Sequence, residues 1–428
     1  MRVLLVTAYF PPETGSAAHL FYELGTKLVQ HHHAVTVLTS FPSYHAVGPV
    51  HDYQGKRFLR ELFEGMSLVR VRVPNLPRHV PAARALWQFA LACQFSRAIK
   101  RLERHDVALI YSPPLPLGFT GTALRKAGAT PFILNVQDLF PQSAIDLKIL
   151  RNRWLIAFFR ALEKRLYRAA DHITVHSPGN LAHVVGTGVD GGNVTVIPNW
   201  VDTEFLRPDR QRDGFSERHG LLGRFVVSFA GVLGYSQDID VILEAACLLK
   251  DRHEILFLIV GDGVEKDRLM KKARALGCRN VLFLPMQARQ MYPDVLAASD
   301  VCLVTLHQEV VSPVVPSKIL SVMAAGKPLL ACMNPQGDAA EVIRTAGCGA
   351  VLAAGDAAGL AEAIVKLQED PGLRMQWGRN GRAYCVGNFS LDRCTERYVD
   401  LFNRLCENER PALTRANDLG HKVPCRNP

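Results

Sequence analysis

The sequence predicts an α/β protein made of two doubly wound, parallel-sheet domains. Three observations carry that prediction. Short runs rich in Val, Ile and Leu alternate with longer helical patterns along most of the 428 residues. The runs are apolar throughout rather than alternating, as strands covered by helices on both faces must be. The scheme also occurs twice, on either side of a polar interruption at residues 202–223. Two repeats of strand and helix mean two α/β layers, not one enlarged sheet.

The elements follow in order. The first strand is 3–8, followed by a loop of small residues, a helix through 20–30 and a second strand at 34–39. Further strands are expected at 68–73, 107–112, 131–136, 172–176 and 193–197. The second half repeats the pattern with strands at 225–230, 255–260, 280–284, 301–305, 328–331 and 349–352. The domains therefore span 1–205 and 206–390, with a late helix at 391–408 and a polar, loose tail at 409–428. In the stretch 154–169, Leu155, Phe158, Phe159, Leu162 and Leu166 share one helical face, as in a helix packed on the sheet. The stretch 84–104 sets Trp87, Phe89, Leu91 and Phe95 ahead of Arg97, Lys100, Arg101 and Arg104. It is either core or a face resting on an anionic bilayer.

Composition narrows the class. With 48% hydrophobic and 21% charged residues, the chain can bury a real core, which excludes disorder along most of its length. Its ten cysteines form no C-x-x-C pair, which points to reduced thiols in a cytoplasmic protein rather than a disulfide scaffold. His31-His32-His33 has no partner at a metal-ligand spacing and is expected in a polar turn. No apolar run approaches the roughly 18–20 residues of a membrane span. Residues 3–10 resemble a short signal core, but Pro11-Pro12-Glu13 ends them without a small-residue cleavage site, so a buried strand is expected. Net charge is +10, and residues 1–205 hold 22 Lys and Arg against 14 Asp and Glu. A basic first half suits an anionic partner such as a phosphorylated substrate or a membrane surface. Scattered basic residues without an aromatic–basic module argue against nucleic acid.

Three motif searches end negatively. Gly186-Thr-Gly188-Val-Asp-Gly191 fits G-x-G-x-x-G, but it follows a helix and precedes a strand, the reverse of a dinucleotide fingerprint. Asp238-Ile-Asp240 opens a helix, where Asp is a natural first-turn residue. No G-x-x-x-x-G-K-[ST] occurs, which excludes a P-loop. The informative loops follow strands and precede helices. Pro11-Pro12-Glu13-Thr14-Gly15-Ser16-Ala17-Ala18 comes after the first strand. In the second half come Gly231-Val-Leu-Gly234, Gly261-Asp262-Gly263 and Pro316-Ser317-Lys318. Small residues there let backbone N–H groups approach an anion, and the following helix dipole adds attraction. Ser317 is expected as the N-cap of a helix over 318–325. Such loops at strand ends in two domains suit a nucleoside diphosphate.

These loops, taken with Asn135-Val-Gln-Asp-Leu139, Val196-Ile-Pro-Asn-Trp-Val-Asp202 and Pro316-Ser-Lys-Ile…Ala324-Ala-Gly-Lys-Pro328, resemble family 4 glycosyltransferases of the GT-B fold. The closest likeness is to members that build O-antigen, capsule and colanic-acid-type polysaccharides. The resemblance covers residues 1–405. It implies two Rossmann-like domains facing across a cleft, a nucleotide-sugar donor on the second, a lipid-linked saccharide acceptor on the first, and a closing helix that crosses back. It also implies retaining transfer with no metal and no cofactor, while the cysteines, the missing membrane span and the basic first half suit a cytoplasmic enzyme in peripheral contact with an anionic membrane. By resemblance, Gly15 and Ser16 face the donor phosphate and sugar, while Gly231, Gln237, Gly261 and Asp262 line the nucleotide pocket. Ser317 and Lys318 meet the diphosphate, and Asp138 orients the acceptor hydroxyl. Asp138 has a plainer alternative, capping the loop at Phe140-Pro141.

Several positions depart from the family pattern. Pro313 and Ser321 stand where many members carry two Glu, so that clamp is missing, and Glu309 is only the nearest candidate for a displaced substitute. Gln237 replaces a usual Lys, and Gln137 a common His. A nucleotide-sugar 2-epimerase and a catalytically silent donor-binding scaffold are therefore the alternative functions.

Overall fold

The computed structural model describes residues 1–13, 16–42, 53, 55–76, 80–146, 148–210, 213–310 and 313–418. The chain divides into one unit of residues 1–197 and 394–428, and a second of 198–393.

The first unit is built on eight strands: β1 (Arg2–Val6), β2 (Ala34–Ser40), β3 (Phe58–Phe63), β4 (Met66–Val71), β5 (Val107–Ser112), β6 (Phe132–Val136), β7 (His172–Val175) and β8 (Val194–Val196). They run in the order β3-β4-β2-β1-β5-β6-β7-β8, parallel except for the β3–β4 hairpin. Every residue of β5 and β6 is buried, the consequence of helices on both faces. β3 is absent from the sequence expectation because Arg60 and Glu61 interrupt its apolar run. Glu64 and Gly65 both take positive φ, 48° and 81°, the two-residue turn whose twist suits a hairpin.

The second unit has six parallel strands: β9 (Phe225–Ala230), β10 (Ile255–Val260), β11 (Val281–Leu284), β12 (Val301–Thr305), β13 (Leu329–Cys332) and β14 (Gly349–Leu352). Their order is β11-β10-β9-β12-β13-β14. Counted within the unit, that is 3-2-1-4-5-6, the doubly wound order in which the chain reverses direction between strands 1 and 4.

Some expectations need correction. The division falls at Ile197–Pro198, ahead of 205. Val201 donates its N–H to the Phe389 carbonyl, and Leu206 is buried in the second unit's core, so residues 198–206 belong there. The closing helix runs Leu391–Asp418 and groups with the first unit from Cys394. Residues 409–418 are thus helical rather than loose, and 419–428 lie outside the described residues. Tyr398, Leu401 and Phe402 are buried, and the Asn135 amide donates to the Tyr398 hydroxyl at 2.9 Å. Helix Pro81–Ala98 is core, with Trp87, Leu91 and Phe95 buried. Helix Arg153–Ala169 buries Phe159, Leu162 and Leu166, but Leu155 and Phe158, expected on the same packed face, are exposed at its start. The three histidines sit where the first helix ends, His32 with φ 61° and His33 Nδ1 3.3 Å from the Met1 amine.

Candidate functional site

In the second unit, the gap in strand order between β9 and β12 gathers loops at the carboxyl ends of the strands. Gly231 takes φ +149° immediately after β9. Its N–H donates to the Val260 carbonyl, and the Gly261 N–H donates to the Leu284 carbonyl. Leu233 N–H bonds the Asp262 carbonyl at 2.8 Å, locking the β9 and β10 loops together. A Cβ on Gly261 would lie 2.0 Å from the Gly231 carbonyl oxygen, and one on Gly263 would lie 2.3 Å from that of Leu233. Only glycine allows backbones this close.

Lys318 lies across this turn. A Cβ on Gly231 would meet Lys318 Cε at 2.3 Å and Nζ at 2.9 Å. The ammonium donates to Gln237 Oε1 and sits 4.2 Å from the centroid of the Phe229 ring. Burial pushes its pKa down to about 8. Lys318 is the second residue of helix Ser317–Ala324, whose N-cap position is Pro316. Ser317 is therefore not the cap but the exposed first helical residue, because proline's fixed φ already ends the preceding loop. No side chain caps this end, and the Ile319 N–H, third in the helix, donates to the Pro316 carbonyl.

The sequence-expected residues thus separate into groups. Gly231, Gln237, Gly261 and Lys318 come together, with Ser317 at the helix start. The Asp262 carboxylate turns onto its own loop, accepting from Gly263 N at 2.8 Å and Lys266 Nζ at 3.3 Å. Those bonds hold its pKa below the usual carboxylate value. In the first unit, Gly15 lies outside the described residues, and Ser16 opens helix Ser16–Gln30. Asp138 is exposed just beyond β6, and, after burial itself, its charge raises the pKa of the Tyr111 hydroxyl. Its backbone carbonyl, not its carboxylate, accepts the Phe140 N–H. The neighbouring Gln137 amide is held by Asn135 Oδ1 at 3.1 Å.

Several other groups complete the picture. Asp240 binds Arg268 and Lys272, and the Arg268 bonds foremost pull its pKa down to about 2. Ser321 donates to the Ser317 carbonyl of its own helix at 3.2 Å. Glu309 is mostly exposed, its carboxylate 4.0 Å from His307 Nδ1, on the wall of a 450 Å³ cavity shared with Tyr235, Asp238 and Arg268. Among the described residues, no cluster of three or more His, Cys, Asp or Glu side chains is arranged to hold a metal, and no helix is long and apolar enough to cross a membrane.

Two contributors were missed from sequence. Thr305 Oγ1, at the end of β12, donates to the Gln237 carbonyl and so fixes the residue that Lys318 contacts. Arg70 on β4 is 1% exposed. Its guanidinium donates to Glu61 Oε1 at 2.7 Å, to the Ser40 carbonyl, and to the Pro11 carbonyl at 2.5 Å. It pins the start of the loop that leads to Gly15, and its signal was a charge inside an otherwise apolar strand.

Two Rossmann-like units, one carrying a lysine and a helix start at its switch point, define a two-domain glycosyltransferase of the GT-B architecture. Comparison with known proteins specifies the class. The model for "Glycosyl transferase 4-like domain" matches residues 14–200, and that for "Glycosyl transferases group 1" matches 211–384. The chain belongs to the family 4 glycosyltransferases. A putative colanic acid biosynthesis glycosyl transferase of Escherichia coli K12 is 25% identical over 76% of this chain and 82% of its own. A probable glycosyltransferase of Pseudomonas aeruginosa is 27% identical over 86% and 90%. Among solved structures, Anabaena Alr3699/HepE in complex with UDP superposes with a TM-score of 0.72 at 16% identity, covering 94% of this chain and all of that one.

Proposed function

We propose that this glycosyltransferase moves a sugar, with retention of configuration and without a metal ion, from a nucleoside diphosphate sugar to a polyprenyl-diphosphate-linked saccharide during assembly of a surface polysaccharide. One observation carries the reading: the Lys318 ammonium, on a helix whose start no side chain caps, crosses Gly231 and is held by Gln237. As the bond between the sugar's anomeric carbon and the phosphate oxygen breaks, the departing diphosphate gains negative charge. A fixed ammonium and amides aimed at that charge stabilise the transition state more than the ground state. The acceptor hydroxyl enters from the leaving-group face, and a donor phosphate oxygen takes its proton. Gln237 positions Lys318, and Asp262 shapes the nucleotide side through its loop. By the family resemblance, Gly15 and Ser16 are assigned to the donor phosphate and sugar, and Asp138 to the acceptor hydroxyl. The UDP in the Anabaena complex and the colanic-acid name of the Escherichia coli relative support the donor and pathway class.

A second reading, a donor-binding scaffold without turnover, is favoured by Pro313 and Ser321 at the positions of the family's Glu pair. Incubation with UDP-, GDP- and dTDP-sugars, polyprenyl-diphosphate-linked saccharides and EDTA separates the readings. The proposal requires nucleoside diphosphate release that depends on acceptor, with the product linkage retaining the donor's configuration. Donor binding without release supports the scaffold. A free sugar formed without acceptor supports the 2-epimerase, and an inverted linkage or complete loss of transfer in EDTA overturns the mechanism.

A further inference from the structure

We infer that the start of helix Arg153–Ala169, with the turn leading into it, is the surface through which this protein rests on an anionic lipid bilayer. The apolar face of the helix divides along its length. Phe159, Leu162 and Leu166 are buried in the first unit's core, which fixes the helix to the sheet. At its start, ahead of that buried stretch, Trp154 is 72% exposed, Leu155 49% and Phe158 51%, and Ile149 in the preceding turn is 70% exposed. Positions 154, 155 and 158 lie on one helical face. The turn carrying them is ordered, because Asn152 Oδ1 caps it by accepting from Trp154 N at 2.9 Å and Leu155 N at 3.2 Å.

Charge selects the occupant. Lys148, Arg151, Arg153 and Arg160 are all exposed around these apolar groups, and no Asp or Glu occurs between 147 and 162. The Arg153 guanidinium lies 4.9 Å from the Trp154 ring centroid, an aromatic paired with a cation. Exposed Trp, Leu and Phe at one level and arginines beside them suit the boundary between acyl chains and anionic headgroups. The excess of cations over the whole of 1–205 draws the same unit toward that surface. The inference extends the reading of a lipid-linked acceptor, but its test involves neither donor nor turnover, so each can fail alone.

The test is flotation of the full chain with vesicles of phosphatidylglycerol and phosphatidylethanolamine, against vesicles of phosphatidylcholine alone. The wild type should float with the anionic vesicles and remain below with the neutral ones. Its tryptophan emission should shift to the blue, because Trp87 and Trp200 are already buried, Trp377 packs half-buried on the second unit's core, and Trp154 is the one that changes surroundings. Arg151→Glu/Arg153→Glu should weaken partitioning about 25-fold or more, at roughly fivefold per cation lost. Trp154→Ser/Leu155→Ser/Phe158→Ser should weaken it at least about tenfold and abolish the emission shift. Both variants alter exposed positions and should keep the wild-type melting temperature. Failure of the wild type to float, equal flotation of wild type and variants, or equal binding to neutral vesicles would overturn the inference. So would self-association that the triple serine variant abolishes in the absence of flotation, which assigns the face to a second copy of the chain.

Discussion

Replacing Lys318 by methionine should stabilise the free protein while weakening its hold on a diphosphate. Lysine ordinarily titrates near 10.5, and burial brings Lys318 down to about 8. Carrying that charge at neutral pH costs the native state about 3 kcal/mol, at roughly 1.4 kcal/mol for each tenfold. Lys318 is only partly enclosed and donates to Gln237, so the gain from methionine should be about 1–2 kcal/mol. For a unit of this size that raises melting by roughly 2–8 °C. The pH dependence has a defined sign. Between about pH 8 and 10.5 the unfolded chain holds a proton on Lys318 that the native chain lacks, so wild-type stability climbs through that window. The methionine variant lacks this contribution. Its advantage is complete below about pH 8 and disappears above 10.5. Paired urea melts across this range measure the gap. A variant less stable than wild type at neutral pH, or a gap that widens as pH rises, would refute the assignment of a desolvated charge to this site.

Other perturbations have equally specific outcomes. Gly261→Ala forces a Cβ to within 2.0 Å of the Gly231 carbonyl, so urea melts should show a loss of at least about 2 kcal/mol, with weaker nucleotide binding. Arg70→Met leaves Glu61 and the Pro11 carbonyl without their donor and should cost about 2–4 kcal/mol. Arg70→Lys should recover little, because one ammonium cannot reach three acceptors in that fork geometry. Asp240, held near pKa 2 chiefly by Arg268, contributes stability that is fully present above 3.8 and lost as pH falls through about 2. Asp240→Asn should flatten that acid limb while leaving sugar transfer intact in EDTA.

Strand periodicity made most of the fold legible. The continuous apolar runs of β5, β6, β10 and β12 can satisfy only a two-sided parallel sheet. Legibility failed where burial comes from a partner rather than from the strand's own composition. β3 holds Arg60 and Glu61 because its pairing with β4 places Glu61 beside Arg70. Helical periodicity likewise places Leu155 and Phe158 on the same face as Phe159, but that face is buried only from Phe159 onward, and the start of the helix stays exposed. At the site, glycines and Lys318 were visible as a strand-loop-helix pattern. That Lys318 folds back over Gly231 was not, since the two are 87 positions apart in the chain and meet only through the β9–β12 neighbour relation. The N-cap was misplaced by one residue because Pro316 and Ser317 are both natural helix-start residues.

The account rests on a diphosphate grip in the second unit, and calorimetry addresses it directly. UDP, GDP and dTDP, and their monophosphates, are titrated into wild-type protein and Lys318→Met with EDTA present. One diphosphate should bind about 10- to 100-fold more tightly than its monophosphate, as a charge-assisted contact allows, and the variant should erase most of that difference. Equal affinity for mono- and diphosphate, or a difference that survives in Lys318→Met, would contradict it.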